Sequence, residues 1–142
     1  MKQLVQVLKN VKQNPAKVVI PLGSPQRPRQ HELDVAYILA QHYKTTVEFI
    51  VPVDDYKRKS ADILMNGVEW EIKSPTGNTK RTIETQFSRA SRQAKNIILD
   101  MRRTKLPHDY IECQVLVEIQ NRPKIKRVIL INKSNKIIDM KK

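Results

Sequence analysis

The sequence predicts an α/β (α+β) fold, a mixed central β-sheet flanked by helices, and three observations carry that reading. Apolar residues recur at helical spacing in three stretches, the longest over about 82–103. Runs rich in β-branched residues lie between and after these stretches. Asn66-Gly67, the strongest short signal for a two-residue hairpin turn, separates two such runs. The order is then helix, strand, strand, strand, helix, strand, strand, which a two-faced sheet with helices on both sides accommodates.

Residues 2–13 carry Leu4, Leu8 and Val11 at helical spacing, and Asn14-Pro15 ends that helix. The short run Val18-Val19-Ile20 follows. Pro21 to Arg29 holds three prolines and reads as an irregular arm, so residues 1–30 are a helix and a Pro-rich arm ahead of the core. Leu33, Ala36, Tyr37 and Ala40 predict an amphipathic helix from Gln30 to His42, with Glu32 in its first turns. Thr45–Val51 reads as a strand ended by Pro52, and the loop Asp54–Lys59 leads into the hairpin. Ser74–Asn78 is a turn. Ile83, Phe87, Ala90, Ala94, Ile97, Ile98 and Met101 line one face of the predicted long helix, beside a polar stripe of Gln86, Arg89, Gln93 and Asn96. Tyr110–Ile119, Lys126–Ile131 and Lys136–Met140 read as strands.

The 142 residues suffice for one domain with a core. Twenty-seven basic against 14 acidic residues leave a net charge of +13, which points to a polyanionic partner, nucleic acid first and an acidic protein next. One Trp, two Phe and four Tyr provide no stacking platform for single strands. No apolar run approaches a membrane span and the N-terminus lacks a signal-peptide core, so membrane insertion is not expected. Cys113 is the single cysteine, expected as a buried core thiol, which excludes an internal disulfide and a Cys-based metal cluster. His31, His42 and His108 show no zinc-ligand spacing, and three glycines form no nucleotide-cradling loop.

Counting outward from the turn pairs Met65 with Val68, Leu64 with Glu69, Ile63 with Trp70, and Asp62 with Glu71. Val68, Trp70 and Ile72 alternate with Glu69, Glu71 and Lys73, an apolar face against a charged one. Directly opposed residues have Cβ atoms about 4.5–5.5 Å apart, so Asp62 and Glu71 would repel each other unless a cation joins them. Mg²⁺ or Mn²⁺ suits such a pair of carboxylates, with Lys73 adding a positive charge two residues on. Metal, ammonium and phosphate together equip a site for phosphodiester hydrolysis. The bland alternative is a strand with one solvated face.

On these residues the stretch from about 31 to 132 resembles the PD-(D/E)xK nuclease superfamily, with its restriction-endonuclease-like core. Asp62 matches the superfamily's Asp, Glu71 and Lys73 its Glu-x-Lys, Glu32 its helix Glu, and Gln86 or Gln93 its helical Gln; Ala61 stands where Pro is common. The resemblance implies a nuclease domain over 31–142. Ala61-Asp62, Asn66-Gly67, Glu71 to Gly77, Gln86-Phe87 and Arg89 to Ala94 are in addition similar to the tRNA nuclease domains of contact-dependent growth inhibition toxins and related polymorphic toxins. That narrower similarity implies metal-dependent cleavage of tRNA in a neighbouring cell's cytoplasm, delivery as part of a larger toxin, and an immunity protein as inhibitor. It assigns catalysis to Asp62, Glu71, Lys73 and Glu32, metal binding to Asp62 and Glu71, and backbone positioning to Ser74, Gln86, Arg89 and Gln93. For Glu32, stabilisation of its own helix N-terminus is an equal reading. A DNA endonuclease of restriction or junction-resolving type and a non-catalytic basic module remain open, because phosphate contacts dominate affinity in each case.

Overall fold

The computed structural model describes residues 16–23, 27–51 and 60–141. Within them seven strands form one sheet in chain order: β1 (Lys17–Val19), β2 (Thr46–Phe49), β3 (Ile63–Met65), β4 (Val68–Lys73), β5 (Asn96–Asp100), β6 (Arg127–Ile131) and β7 (Ile137–Lys141). The helices are α1 (Gln30–Tyr43), α2 (Thr82–Ala90) and α3 (His108–Asn121). β1–β2, β4–β5 and β5–β6 are parallel, and each of these steps is bridged by a helix; β2–β3, β3–β4 and β6–β7 are antiparallel. The sheet is mixed and flanked by helices, as expected. The helix read over 2–13 and the loop 54–59 lie outside the described residues.

Asn66 and Gly67 both have positive φ, 54° and 76°, the twist that lets two strands turn back in two residues. The hairpin register is the one counted from the sequence: Met65 with Val68, Leu64 with Glu69, Ile63 with Trp70. The Thr45 hydroxyl donates to Asn66 Oδ1 at 2.6 Å and ties the turn to the start of β2.

Alternation divides β4 between two cores. Trp70 and Ile72 pack with Val47, Phe49, Ile63, Ile98 and Ile129 against Val35, Ala36, Leu39 and Ala40 of α1. Ile97, Leu99, Val128 and Leu130 face the other way, against Ile83, Phe87 and Ala90 of α2 and Ile111 and Val115 of α3. Glu71 and Lys73 stand level with Ile97 and Leu99, so they belong to the face that α2 covers.

Two expected elements are corrected. The helix read over 82–103 ends at Ala90, and Asn96–Asp100 is the buried parallel strand β5. Ile97, Ile98 and Met101 satisfy a helical spacing, but Ile97, Ile98 and Leu99 are buried consecutively, as a strand covered on both faces requires. The strand read over Tyr110–Ile119 is α3: Pro107 precedes it, and Ile111, Val115 and Glu118 form its buried face. Cys113, expected in the core, is exposed on that helix.

A buried ion pair joins α1 to the sheet. Asp100, 0% exposed at the end of β5, accepts from Arg102 Nε at 2.8 Å, from the Arg102 backbone N–H at 3.1 Å and from the Ser74 hydroxyl at 2.9 Å. The same guanidinium donates to the His31 carbonyl at 3.2 Å and lies 3.9 Å from Asp34. The hydrogen bonds from Asp100 hold the Arg102 pKa above its ordinary value, against the opposing effect of burial. Removing one member of such a pair strands the other's charge. Arg102→Ala is expected to lower stability by about 3–5 kcal/mol in urea unfolding, with part recovered when Asp100→Asn is added. A loss below about 1 kcal/mol would show that the pair does not anchor α1 to the end of β5.

Candidate functional site

The β3–β4 ladder ends at Ile63–Trp70, and Asp62 lies at its open end. The Asp62 backbone N–H still donates to the Trp70 carbonyl at 3.0 Å. Its side chain then substitutes for the missing strand, Oδ2 accepting from the Ile72 N–H at 2.7 Å. That bond holds the Asp62 carboxyl beside Glu71, within hydrogen-bonding reach of it.

Glu71 is 1% exposed, and its Oε2 has no hydrogen-bond partner among the described residues. Among those residues its ion-pair partner is Lys73 Nζ, 3.6 Å from Oε2, on a side chain 20% exposed. Burial pushes the Glu71 pKa up to about 9, helped by the hydrogen bond and negative charge of Asp62 and only partly offset by Lys73. A buried carboxyl in this state is neutral near pH 7 unless a further positive charge joins it.

The residues fit a divalent cation. Two carboxyl groups supply hard oxygen donors, one oxygen is buried without a partner, and Lys73 alone does not satisfy it. Asp62 and Glu71 would hold the ion, with one Asp62 oxygen already oriented by the Ile72 amide.

The other residues singled out in the sequence are dispersed around this centre. Gln86 is half-buried on α2 and lines a groove of about 330 Å³ with Ser74, Thr76, Gly77, Thr79 and Arg81. Ser74 follows Lys73, its hydroxyl turned to Asp100. Arg89 is exposed and lines an adjoining groove. Gln93 lies in the turn after α2 and borders neither groove. Glu32 is not brought to the centre by any described contact. It sits on α1, across the sheet, and its Oε1 accepts from the Arg29 N–H at 3.0 Å, capping its own helix.

One grouping escaped the sequence reading. His108, Asp109 and Glu112 have ligand atoms within 4.8 Å of one another on the first turns of α3, and His108 Nε2 lies 3.3 Å from Glu112 Oε2. The signal was their i, i+1, i+4 spacing, hidden by reading the segment as a strand. These groups are not buried, and acidic side chains at a helix N-terminus are favourable without an ion.

The family model described as "Contact-dependent growth inhibition CdiA C-terminal domain" matches residues 59–137, more than half of the chain and inclusive of Asp62, Glu71 and Lys73. No curated protein sequence matches. Among solved structures, the chain is similar to one described as a CdiA-CT/CdiI toxin and immunity complex from Burkholderia pseudomallei. The TM-score is 0.67 at 22% identity, covering 89% of this chain and 99% of that one. At that identity the similarity establishes the fold. No helix among the described residues is long and apolar enough to cross a membrane.

The buried Glu71 gives a pH test with a definite sign. The folded protein retains a proton on Glu71 between the ordinary value of 4.5 and about 9, whereas the unfolded chain releases it. The contribution of Glu71 to stability is therefore fully present below pH 4.5 and declines as pH rises through that window, by at most about 1.4 kcal/mol per pH unit. Urea midpoints of metal-free protein should fall from pH 5 to pH 9, and Glu71→Gln should flatten this slope. Added Mn²⁺ at pH 8 should raise the wild-type midpoint and leave Glu71→Gln unmoved. A wild-type profile that does not fall would refute a neutral buried Glu71.

Proposed function

The chain belongs to the contact-dependent growth inhibition CdiA C-terminal domain family, and from that premise we propose that it is a metal-dependent endoribonuclease toxin with tRNA as its preferred substrate. The observation that carries this reading is the buried, unpartnered Glu71 oxygen beside Asp62 and Lys73. A scaffold has no use for a buried, charge-prone carboxyl oxygen left without a hydrogen-bond partner, whereas a metal centre does. The chain order of Asp62, Glu71 and Lys73, followed by α2 with Gln86, supports placing the site in the PD-(D/E)xK class.

Asp62 and Glu71 would hold Mg²⁺ or Mn²⁺. When bound, such an ion supplies positive charge for the phosphate oxygens and lowers the pKa of a water. Holding the ion would require Glu71 in its ionised form, which would make it the charged partner of Lys73. The Lys73 ammonium then orients the attacking water and stabilises the negative charge that builds on the phosphoryl oxygens as the new P–O bond forms and the ester bond breaks. Ser74, Gln86, Arg89 and Gln93 serve to position the nucleic-acid backbone. Glu32 acts as the α1 cap.

The biological setting follows from the family. The domain would be carried by a larger toxin into a neighbouring bacterium and act in its cytoplasm. A net charge of +13 favours an acidic immunity protein as inhibitor, and the similar B. pseudomallei structure is titled a toxin and immunity complex.

The test is incubation with total tRNA and, separately, plasmid DNA, in Mg²⁺, Mn²⁺ or EDTA. Discrete tRNA fragments should appear only with metal, and Glu71→Gln and Lys73→Ala should lower the rate at least about 100-fold. Plasmid cleavage alone would make the protein a DNA endonuclease. Binding of both substrates without cleavage of either would make it a non-catalytic module. Wild-type activity in Lys73→Ala would overturn the role given to that residue.

A further inference from the structure

Arg81, Thr85, Ser88, Arg89 and Arg92 fall at i, i+4, i+7, i+8 and i+11, one stripe along α2 and its closing turn. The stripe points away from the buried Ile83, Phe87 and Ala90. It is flanked by two adjoining grooves. One, of about 330 Å³, is walled by the loop Ser74–Thr79 and Gln86; the other, of about 310 Å³, by Glu84, Ser88, Arg89 and Arg92. Arg81 and Thr85 line both, so the grooves lie side by side along the stripe.

The stripe concentrates positive charge. Among the described residues, Arg81, Arg89 and Arg92 make no ion pair, although Glu84 shares their groove. Arg81 occupies the N-cap position, where the helix dipole disfavours a cation, whereas Arg89 in the last turn is favoured by it, and Arg92 brings a like charge close to Arg89 in the closing turn. A polyanion offsets the cost at Arg81 and the repulsion among the three guanidinium groups.

The groove floor is fixed in advance. The Ser74 hydroxyl binds Asp100 at 2.9 Å, the Thr104 hydroxyl binds the Gly77 carbonyl at 2.7 Å, Thr82 Oγ1 accepts from the Thr79 N–H at 3.1 Å, and the Tyr110 hydroxyl binds the Lys80 carbonyl at 3.2 Å. A Cβ on Gly77 would meet Thr82 Oγ1 at 2.8 Å, so the loop has no room to broaden. This loop starts one residue after Lys73 and leads straight into the stripe.

We propose that the α2 stripe is the track for the phosphate backbone of a folded RNA stem on one flank of the scissile bond, with Arg81 and Arg92 as phosphate contacts alongside Arg89. The eight steps from Arg81 to Arg89 span about 12 Å of helix, long enough to follow a short stretch of backbone. The placement beside a scissile bond rests on the nuclease reading; backbone binding does not.

The experiment measures anisotropy of labelled tRNA with Glu71→Gln protein across a salt series. Arg81→Ala/Arg89→Ala/Arg92→Ala in that background should weaken binding about 10–100-fold at moderate salt. It should also lower the slope of log K against log[salt] by about 2–3. The control Lys44→Ala/Lys124→Ala/Lys136→Ala removes equal charge from exposed positions outside the grooves and should change affinity less than about threefold. Equal losses in the two triples, or none in either, would overturn the track and leave only diffuse attraction. Cleavage separates the two readings: with an intact metal site the arginine triple should raise KM and keep kcat. If wild type binds through the stripe but cuts no nucleic acid with any metal, the nuclease reading fails and the track stands.

Discussion

A carboxyl group buried in the face of the sheet that α2 covers is the constraint around which the rest of the molecule is arranged. Placing Glu71 at 1% exposure costs far more than burying an apolar side chain, because its ionised form loses water without gaining a full set of partners. The fold tolerates this because β4 is held on both sides, by β3 through a hairpin of fixed register and by β5 in parallel. Alternation along the same strand sends Trp70 and Ile72 into the α1 core, so the backbone at Glu71 cannot swing outward without emptying it. Neutralisation of Glu71 lets the domain fold without a further countercharge.

Comparison of the two buried acids in the sheet shows what is unusual about Glu71. Asp100 is as deeply buried, but it faces α1 and is fully answered: a guanidinium, a hydroxyl and a backbone amide converge on it. That arrangement makes structure, since it binds the end of β5 to the start of α1 through His31 and Asp34. Glu71 sits on the opposite face with a second carboxyl where a donor would be expected, and with an ammonium held at ion-pair distance. The same chain can satisfy a buried acid when structure alone is at stake. Leaving the other unsatisfied is therefore a feature of the site.

Much of this was legible in local chemistry, and what was not shares one cause. Asn66-Gly67 sets the register through its two positive-φ positions, so the pairing around Asp62 and Glu71 could be counted without tertiary information. The strands β6 and β7 and the helix α1 announced themselves by period and by flanking turns. Ile97–Leu99 and Tyr110–Ile119 did not, because short apolar runs satisfy both periods and only burial on one face or two separates them. The error at α3 hid the exposure of Cys113 and the grouping of His108, Asp109 and Glu112. Nor could spacing alone choose between two roles for Glu32; a helix across the sheet and a bond to the Arg29 amide favour the cap. The partnership of Asp100 and Arg102 with α1 joins residues some seventy positions apart and has no local signature.

The division of labour among the faces bears on what the scaffold can and cannot specify. A fold shared at 22% identity with the B. pseudomallei structure is set by alternation and burial rather than by particular side chains. The proposed chemistry resides on β4 and the residue before β3, the anchoring of α1 on the end of β5, and the proposed reach toward a substrate on the exposed side of α2. α2 belongs to two of these systems at once, since its apolar face covers the strands that carry Glu71 while its polar face meets solvent. Its inner residues are bound by packing, but its outer ones are free to vary without disturbing the buried centre. Under the proposed reading, choice of substrate belongs to the outer residues and to the loop that leads to them, and hydrolysis to Asp62, just before β3, with Glu71 and Lys73 on β4.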